Sequence, residues 1–206
     1  MSYPVELCKL VIRNIEIIEE APNVVAEVEK KLFTAINERI EERVIKHSRA
    51  TWAGVYSLVT GKIGGTYFAP RGWLRLTEDE EDYWAWYECW LVKGDINFTH
   101  KLPQAIGLKN AALAIGFDSA FAESVDDKRE KMANFYEATS AIKDAELLLH
   151  INADYIYTHI PLDVDALADG FPDFTKALNP LDDALTRLFS VHEHFDRYVT
   201  GRLENG

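Results

Sequence analysis

Cysteine is scarce in this chain: Cys8 and Cys89 are the two among 206 residues. Two thiols cannot staple a fold of this length, which excludes a disulfide scaffold and predicts free thiols in a reducing cytosol. Long apolar runs are missing too. The best candidate, Leu10 to Ile18, is interrupted by Arg13, Asn14 and Glu16, far short of the roughly 18–20 apolar residues that span a bilayer. The opening Met1-Ser2-Tyr3-Pro4 has no basic segment leading into an apolar stretch and a small-residue cleavage site. No signal peptide or membrane association is therefore expected, and the expected location is cytoplasmic. There is no internal repeat and no Gly/Pro/Ser-rich linker. With 48% apolar and 27% charged residues, the composition is that of a folded chain and excludes a disordered or fibrous one.

Positive charge is also in short supply. Acidic side chains number 34 against 22 basic, a net charge of −12. Residues 1–117 are near balance, with 16 acidic and 14 basic, whereas residues 118–206 carry 18 acidic and 8 basic. An acidic field repels phosphate backbones, so direct nucleic-acid binding is disfavoured. It disperses the protein and steers it toward a basic partner.

What is present reads as three blocks. Pro4 to Glu20 reads as helix, and Val24 to Lys46 as a second helix capped by Asn23 after Pro22, because Val24, Val28, Leu32, Ile36, Ile40 and Val44 recur every four residues. Thr51 to Val59, Ile63 to Phe68, Gly72 to Leu76 and Tyr83 to Val92 are rich in aromatic and β-branched residues separated by short turns. They predict strands of an antiparallel meander, with a further short strand at Ile96 to Thr99. The third block predicts helices at Pro103 to Phe117, at Asp127 to Asn152 with Asp126 or Asp127 as cap, and at Pro180 to Leu203 with Asn179 as cap. A strand at Tyr155 to Ile160 and one or two helical turns at Pro161 to Asp169 lie between them. The expected fold is α+β: an antiparallel sheet of four to six aromatic-rich strands covered by N-terminal and C-terminal helices. It is expected to form one domain over residues 1–206, the alternative being a helix–sheet part (1–117) and an acidic helical part (118–206).

All five tryptophans lie between Trp52 and Trp90. In residues 83–90, alternation puts Trp84, Trp86, Glu88 and Trp90 on one strand face and Tyr83, Tyr87 and Cys89 on the other. Both faces are apolar enough to want cover, so the strand is either central between layers or lines a partner surface. A carboxylate at Glu88 needs a donor, for which Arg71 and Arg75 are candidates. Without one its pKa rises and it becomes a candidate acid.

Motifs with chemistry are few. The glycines of Gly61-Lys62-Ile63-Gly64-Gly65 lie between strands and read as a hairpin or bulge. Gln104-Ala105-Ile106-Gly107-Leu108-Lys109, after a helix pair and a meander, resembles the pyrophosphate loop of acyl-CoA N-acetyltransferases, with Lys109 where that loop has its second glycine; the resemblance implies backbone N–H groups approaching phosphate. Arg187 followed by His192 resembles the catalytic motif of HEPN ribonucleases, which implies a pair polarising a scissile phosphate; those domains are all-helical. His192 and Asp196 are one turn apart on a predicted helix and could begin a zinc or manganese site, with His150, His159, Asp163 or Asp165 as further donors. Asp163, Asp165 and Asp169 lack the ligand order of a calcium loop.

The expected function is that of an acidic intracellular binding protein that inhibits or neutralises a macromolecule by occluding its basic surface. Small, acidic, motif-poor immunity proteins and phage anti-defence inhibitors are of this physical type. The expected partner is a protein with a basic surface. Candidate contact residues are the acids Glu78, Asp79, Glu80, Glu81 and Asp82, the acids Asp163, Asp165, Asp169 and Asp173, and the aromatic anchors Trp73 and Trp84. No cofactor is expected, and homodimerisation is left open. The alternative is an enzyme with a dispersed site: a metal-assisted hydrolase or nuclease at His192 and Asp196, with Arg187 and Glu88 as further catalytic candidates, or an acyltransferase-like fold.

Overall fold

The computed structural model describes residues 9, 12–51, 56–60, 65–76, 81–121, 124–152 and 154–203. The first element, α1 (Ile15–Thr51), is a helix of 37 residues, about 55 Å long at 1.5 Å per residue. Leu32, Ile36, Ile40 and Val44 are all buried, so the four-residue stripe seats this helix on the core. A helix boundary at Pro22 and a cap at Asn23 were expected; instead α1 runs through Pro22. The ring removes one backbone donor, and Pro22 lies on an exposed stretch of the helix, away from the buried stripe.

The strands are β1 (Tyr56–Thr60), β2 (Gly65–Pro70), β3 (Leu74–Leu76), β4 (Glu81–Tyr83), β5 (Ala85–Val92), β6 (Ala112–Ser119), β7 (Leu148–Leu149) and β8 (Ile156–Ile160). The remaining helices are α2 (Leu102–Ala105), α3 (Val125–Ala138), α4 (Ser140–Asp144), α5 (Val164–Gly170), α6 (Asn179–Ser190) and α7 (His192–Leu203). Six strands form one sheet in the order β1-β2-β5-β6-β8-β7, every pair antiparallel, while β3 and β4 make a separate hairpin. The fold is α+β, an antiparallel sheet with helices from both ends of the chain. Among the described residues, no helix is long and apolar enough to cross a membrane.

One face of the sheet carries the core. Phe68, Tyr87, Leu113, Ile115, Phe117, Ile156 and Ile160 project from it and are buried. Opposite them lie the stripe of α1, then Leu181, Leu185 and Leu188 of α6, and Phe195 and Val199 of α7. The Phe117 and Phe195 rings stack at 4.3 Å. Thr66 of β2 bonds Asn37 of α1. Arg39 and Arg43 of α1 straddle Asp182 of α6 at 3.3 and 3.8 Å, and Arg43 also donates to the Thr186 hydroxyl at 2.7 Å. Asp182 therefore ties two helices together.

Four local readings need correction. Residues 103–117 do not form a helix: α2 is one turn, and β6 follows. Leu113, Ile115 and Phe117 alternate with Ala112, Ala114 and Gly116, a period of two concealed by the alanines. Residues 127–152 divide into α3, α4 and β7, and the cap is Ser124, whose hydroxyl accepts from the Asp127 N–H at 3.2 Å. Residues 96–99 form no strand. The last helix breaks at Val191, where the backbone leaves helical geometry (φ −111°, ψ 11°).

Candidate functional site

The two faces of β5 differ in burial. Ala85, Tyr87 and Cys89 are buried under the helices, whereas Trp86, Glu88 and Trp90 on the outer face are half-buried. The same holds for β8: Ile156 and Ile160 point inward, while Tyr157 is half-buried and His159 exposed. Register aligns these outer residues into rows. Tyr67 lies opposite Glu88, Glu88 opposite Gly116, and Gly116 opposite Tyr157. In the adjoining rows Trp86 faces Asp118, and Trp90 faces Ala114, which faces His159.

Small residues on β6 shape this surface. Between Ala112 and Asp118 the strand offers only Ala114 and Gly116 outward, and both are buried. Rings from the neighbouring strands meet above it: Trp90 and Tyr155 have centroids 4.9 Å apart and planes at 85°. Tyr155 to Tyr157 is 5.4 Å, Tyr157 to His159 is 5.2 Å, and His150 stacks on Tyr155 at 4.2 Å. At Gly116 no side chain fits, because a Cβ would sit 2.2 Å from the Ile156 carbonyl oxygen.

Three carboxylates stand among these rings. Glu88 accepts a long bond from the Trp86 indole at 3.4 Å and one from the Tyr67 hydroxyl. Neither donor is charged, and burial holds the Glu88 carboxyl above the usual range. Of the two arginines expected to pair with Glu88, Arg71 is exposed and Arg75 is described only through its backbone. Asp118 is also held above its usual range by burial, although Lys128 of α3 pairs with it at 2.6 Å and the Ser119 N–H bonds it at 2.6 Å. Asp154 pairs with His150. Its charge raises the Asp118 carboxyl and, after burial, is the main cause that takes the Tyr155 hydroxyl up to about 12. Electron-rich ring faces and carboxylates both attract cations.

The residues singled out on α7 have a different fate. His192 is buried, and its Nδ1 lies 2.6 Å from the Tyr87 hydroxyl. Burial lowers its pKa to about 4. Asp196 accepts from the Trp73 indole at 2.9 Å, and Trp73 stacks on His192 at 5.4 Å. Trp73 is 1% exposed, which removes it from the anchors available to a partner. Its ring instead joins the β2–β3 connection to α7. The His192–Asp196 metal reading is not supported either: among the described residues, no three His, Cys, Asp or Glu side chains gather to hold an ion. Arg187 pairs with Glu146 on the outside at 3.1 Å while His192 points inward across the break at Val191, so the nuclease-like pair is not assembled. Gln104 lies within the one-turn α2 and Lys109 within the tight bend that leads into β6, rather than opening a longer helix as a phosphate loop requires.

Trp84 stacks on Phe121 at 5.1 Å, with the planes 2° apart. Asp163 caps α5 by accepting from the Ala166 N–H at 2.7 Å, and Asp173 accepts from the Thr175 N–H at 2.9 Å. Both are exposed, as are Asp165 and Asp169. Glu78, Asp79 and Glu80 lie outside the described residues, as do Cys8, Trp52 and the loop 61–64; Glu81 and Asp82 lie in β4, which is described through its backbone. Cys89 is buried, and burial takes its thiol up to about 12, far from the range of a nucleophile. Tyr67, Asp118, Asp154, Tyr155 and Tyr157 were not singled out in sequence. The alternation of Tyr155, Tyr157 and His159 with Ile156, Thr158 and Ile160 was the available signal.

Comparison of the chain with protein-family models, with curated proteins and with solved structures finds no match.

Proposed function

We propose that this is a binding protein that blocks a basic macromolecular partner by receiving its cationic segment on the outer face of the sheet. The observation that carries the reading is the clustering of Glu88, Asp118 and Asp154 among Trp86, Trp90, Tyr155 and Tyr157 on one half-exposed face. Two of those carboxylates titrate above their usual range, so an arriving guanidinium or ammonium relieves a standing electrostatic deficit as well as making contact. The net charge of −12 steers such a partner in. The partner is a protein, since the same field repels nucleic acid.

The direct test uses a synthetic arginine-rich peptide, an acidic peptide of equal length and a single-stranded oligonucleotide, with tryptophan emission reporting on Trp86 and Trp90. Expected is saturable binding of the cationic peptide alone, weakened by salt, and reduced at least tenfold in Glu88→Gln/Asp118→Asn and in Trp90→Ala. Binding that survives all three substitutions, or binding of the oligonucleotide, overturns the proposal.

A further inference from the structure

A second concave surface lies away from the outer face and is built from other residues. The start of α1, the one-turn α2, α5 and the segment after it enclose a cavity of about 540 Å³. Leu32, Leu167 and Phe174 are buried in its wall. Val24, Val164 and Phe171 stand at its rim, 56%, 53% and 42% exposed. The volume falls within the range of small-molecule pockets, and an apolar lining with few polar groups is their usual chemistry. Large apolar side chains left exposed around a hollow also mark a surface that something covers. The half-enclosed shape fits a chain or ring, not a flat protein face.

Among the described lining residues the one charged side chain is Glu27. Its partner is Lys31, one turn along at 3.1 Å, and both are well exposed. A pair of this kind contributes little, so a ligand cation can exchange for Lys31, whose ammonium also has the Phe171 ring 4.8 Å away. The flank of α5 adds negative charge: Asp165 is exposed between the lining residues Val164 and Ala168. An anionic head group would meet these acids within a molecule of net charge −12.

We infer that this cavity is a binding site for a cationic amphiphile, its apolar chain held among Leu32, Leu167 and Phe174 and its ammonium against Glu27. The site does not depend on the outer-face reading, and either can fail alone.

The test is calorimetric titration of the full chain with decylamine, decanol and decanoate, each below its micelle concentration, and with octylamine for chain length. Decylamine is expected to bind one to one and to bind about tenfold more tightly than octylamine, as two further buried methylenes require. Glu27→Gln brings decylamine down to the affinity of decanol. Ala168→Trp, at an exposed lining position that leaves the core untouched, fills the cavity and abolishes binding of both; circular dichroism and the melting temperature verify that this variant is folded. The inference is overturned if no ligand binds with one-to-one saturation, if decanoate equals or exceeds decylamine, or if folded Ala168→Trp binds decylamine unchanged. The last result is the signature of general adsorption to an acidic surface.

Discussion

The inner and outer faces of the central sheet are made of similar residues and have opposite characters. Tyr87, Phe68 and Phe117 on the inner face are wholly buried, and each ring lies against others: Phe68 to Tyr87 at 5.3 Å, Trp73 to Tyr87 at 5.2 Å. Trp86, Trp90 and Tyr157 on the outer face keep part of their surface in water. Aromatic content alone therefore distinguishes nothing. The polar groups do. The inner face ties the His192 imidazole to a tyrosine hydroxyl, whereas the hydrogen-bond donors described for Glu88 on the outer face are neutral.

The sharpest way to break this comparison is truncation of one ring on each face. Phe117→Ala is expected to cost about 3–5 kcal/mol by urea denaturation, the range for a buried phenylalanine. Trp90→Ala is expected to cost under about 2 kcal/mol, a half-exposed ring losing less than a core one, while losing the cationic peptide. Equal destabilisation by the two would erase the distinction between the faces.

Next in size is the pH response of the inner face. His192 titrates near 4 when folded and near 6.5 when unfolded. Between those values the unfolded chain binds the proton that the folded chain refuses. Stability is therefore complete above about pH 6.5, falls as pH drops, and levels off below about 4, a loss on the order of 3 kcal/mol. Urea midpoints measured from pH 7 to 4 read this loss, and His192→Gln should reduce it, leaving the smaller contribution of His47, whose pKa burial also lowers.

The outer face should answer with the opposite sign. The Glu88 carboxyl is raised on folding, so its ionised form costs stability near neutrality, and protonation on acidification relieves that cost. Glu88→Gln is expected to stabilise the free protein at pH 7 by less than about 1 kcal/mol, in the same variant background that weakens peptide binding. A destabilised Glu88→Gln would make this carboxylate a structural element. The smallest effect is kinetic: Cys89, buried and with its thiol near 12, should be alkylated only on unfolding, as peptide mapping would reveal.

The fold class was legible in the sequence because the signals are periodic over long stretches. The four-residue stripe from Leu32 to Val44 and the strands β2 and β5 appear where expected, whereas Gly72 to Leu76 yields only the short β3, in a hairpin apart from the main sheet. β6 escaped because Ala112, Ala114 and Gly116 look helical by composition, and only their neighbours Leu113, Ile115 and Phe117 reveal the alternation. The break at Val191 escaped for the opposite reason: Leu185, Leu188, His192, Phe195 and Val199 keep helical spacing straight through it. The site was half legible. Glu88 with Trp86 and Trp90 could be read from one strand, but Asp118, Tyr155 and Tyr157 join them through strand pairing, which is long-range information. His192 and Asp196 could be placed on a common helix face; that the face points into the core, toward Tyr87 and Trp73, depends on the sheet.

The bareness of β6 on its outer side has a practical consequence. Gly116 admits no replacement without displacing its neighbour strand, and Ala114, opposite Trp90 and His159, is itself fully buried. Enlarging residue 114 would therefore have to displace the indole and imidazole opposite it, reshaping the outer surface of the sheet without altering a single charge.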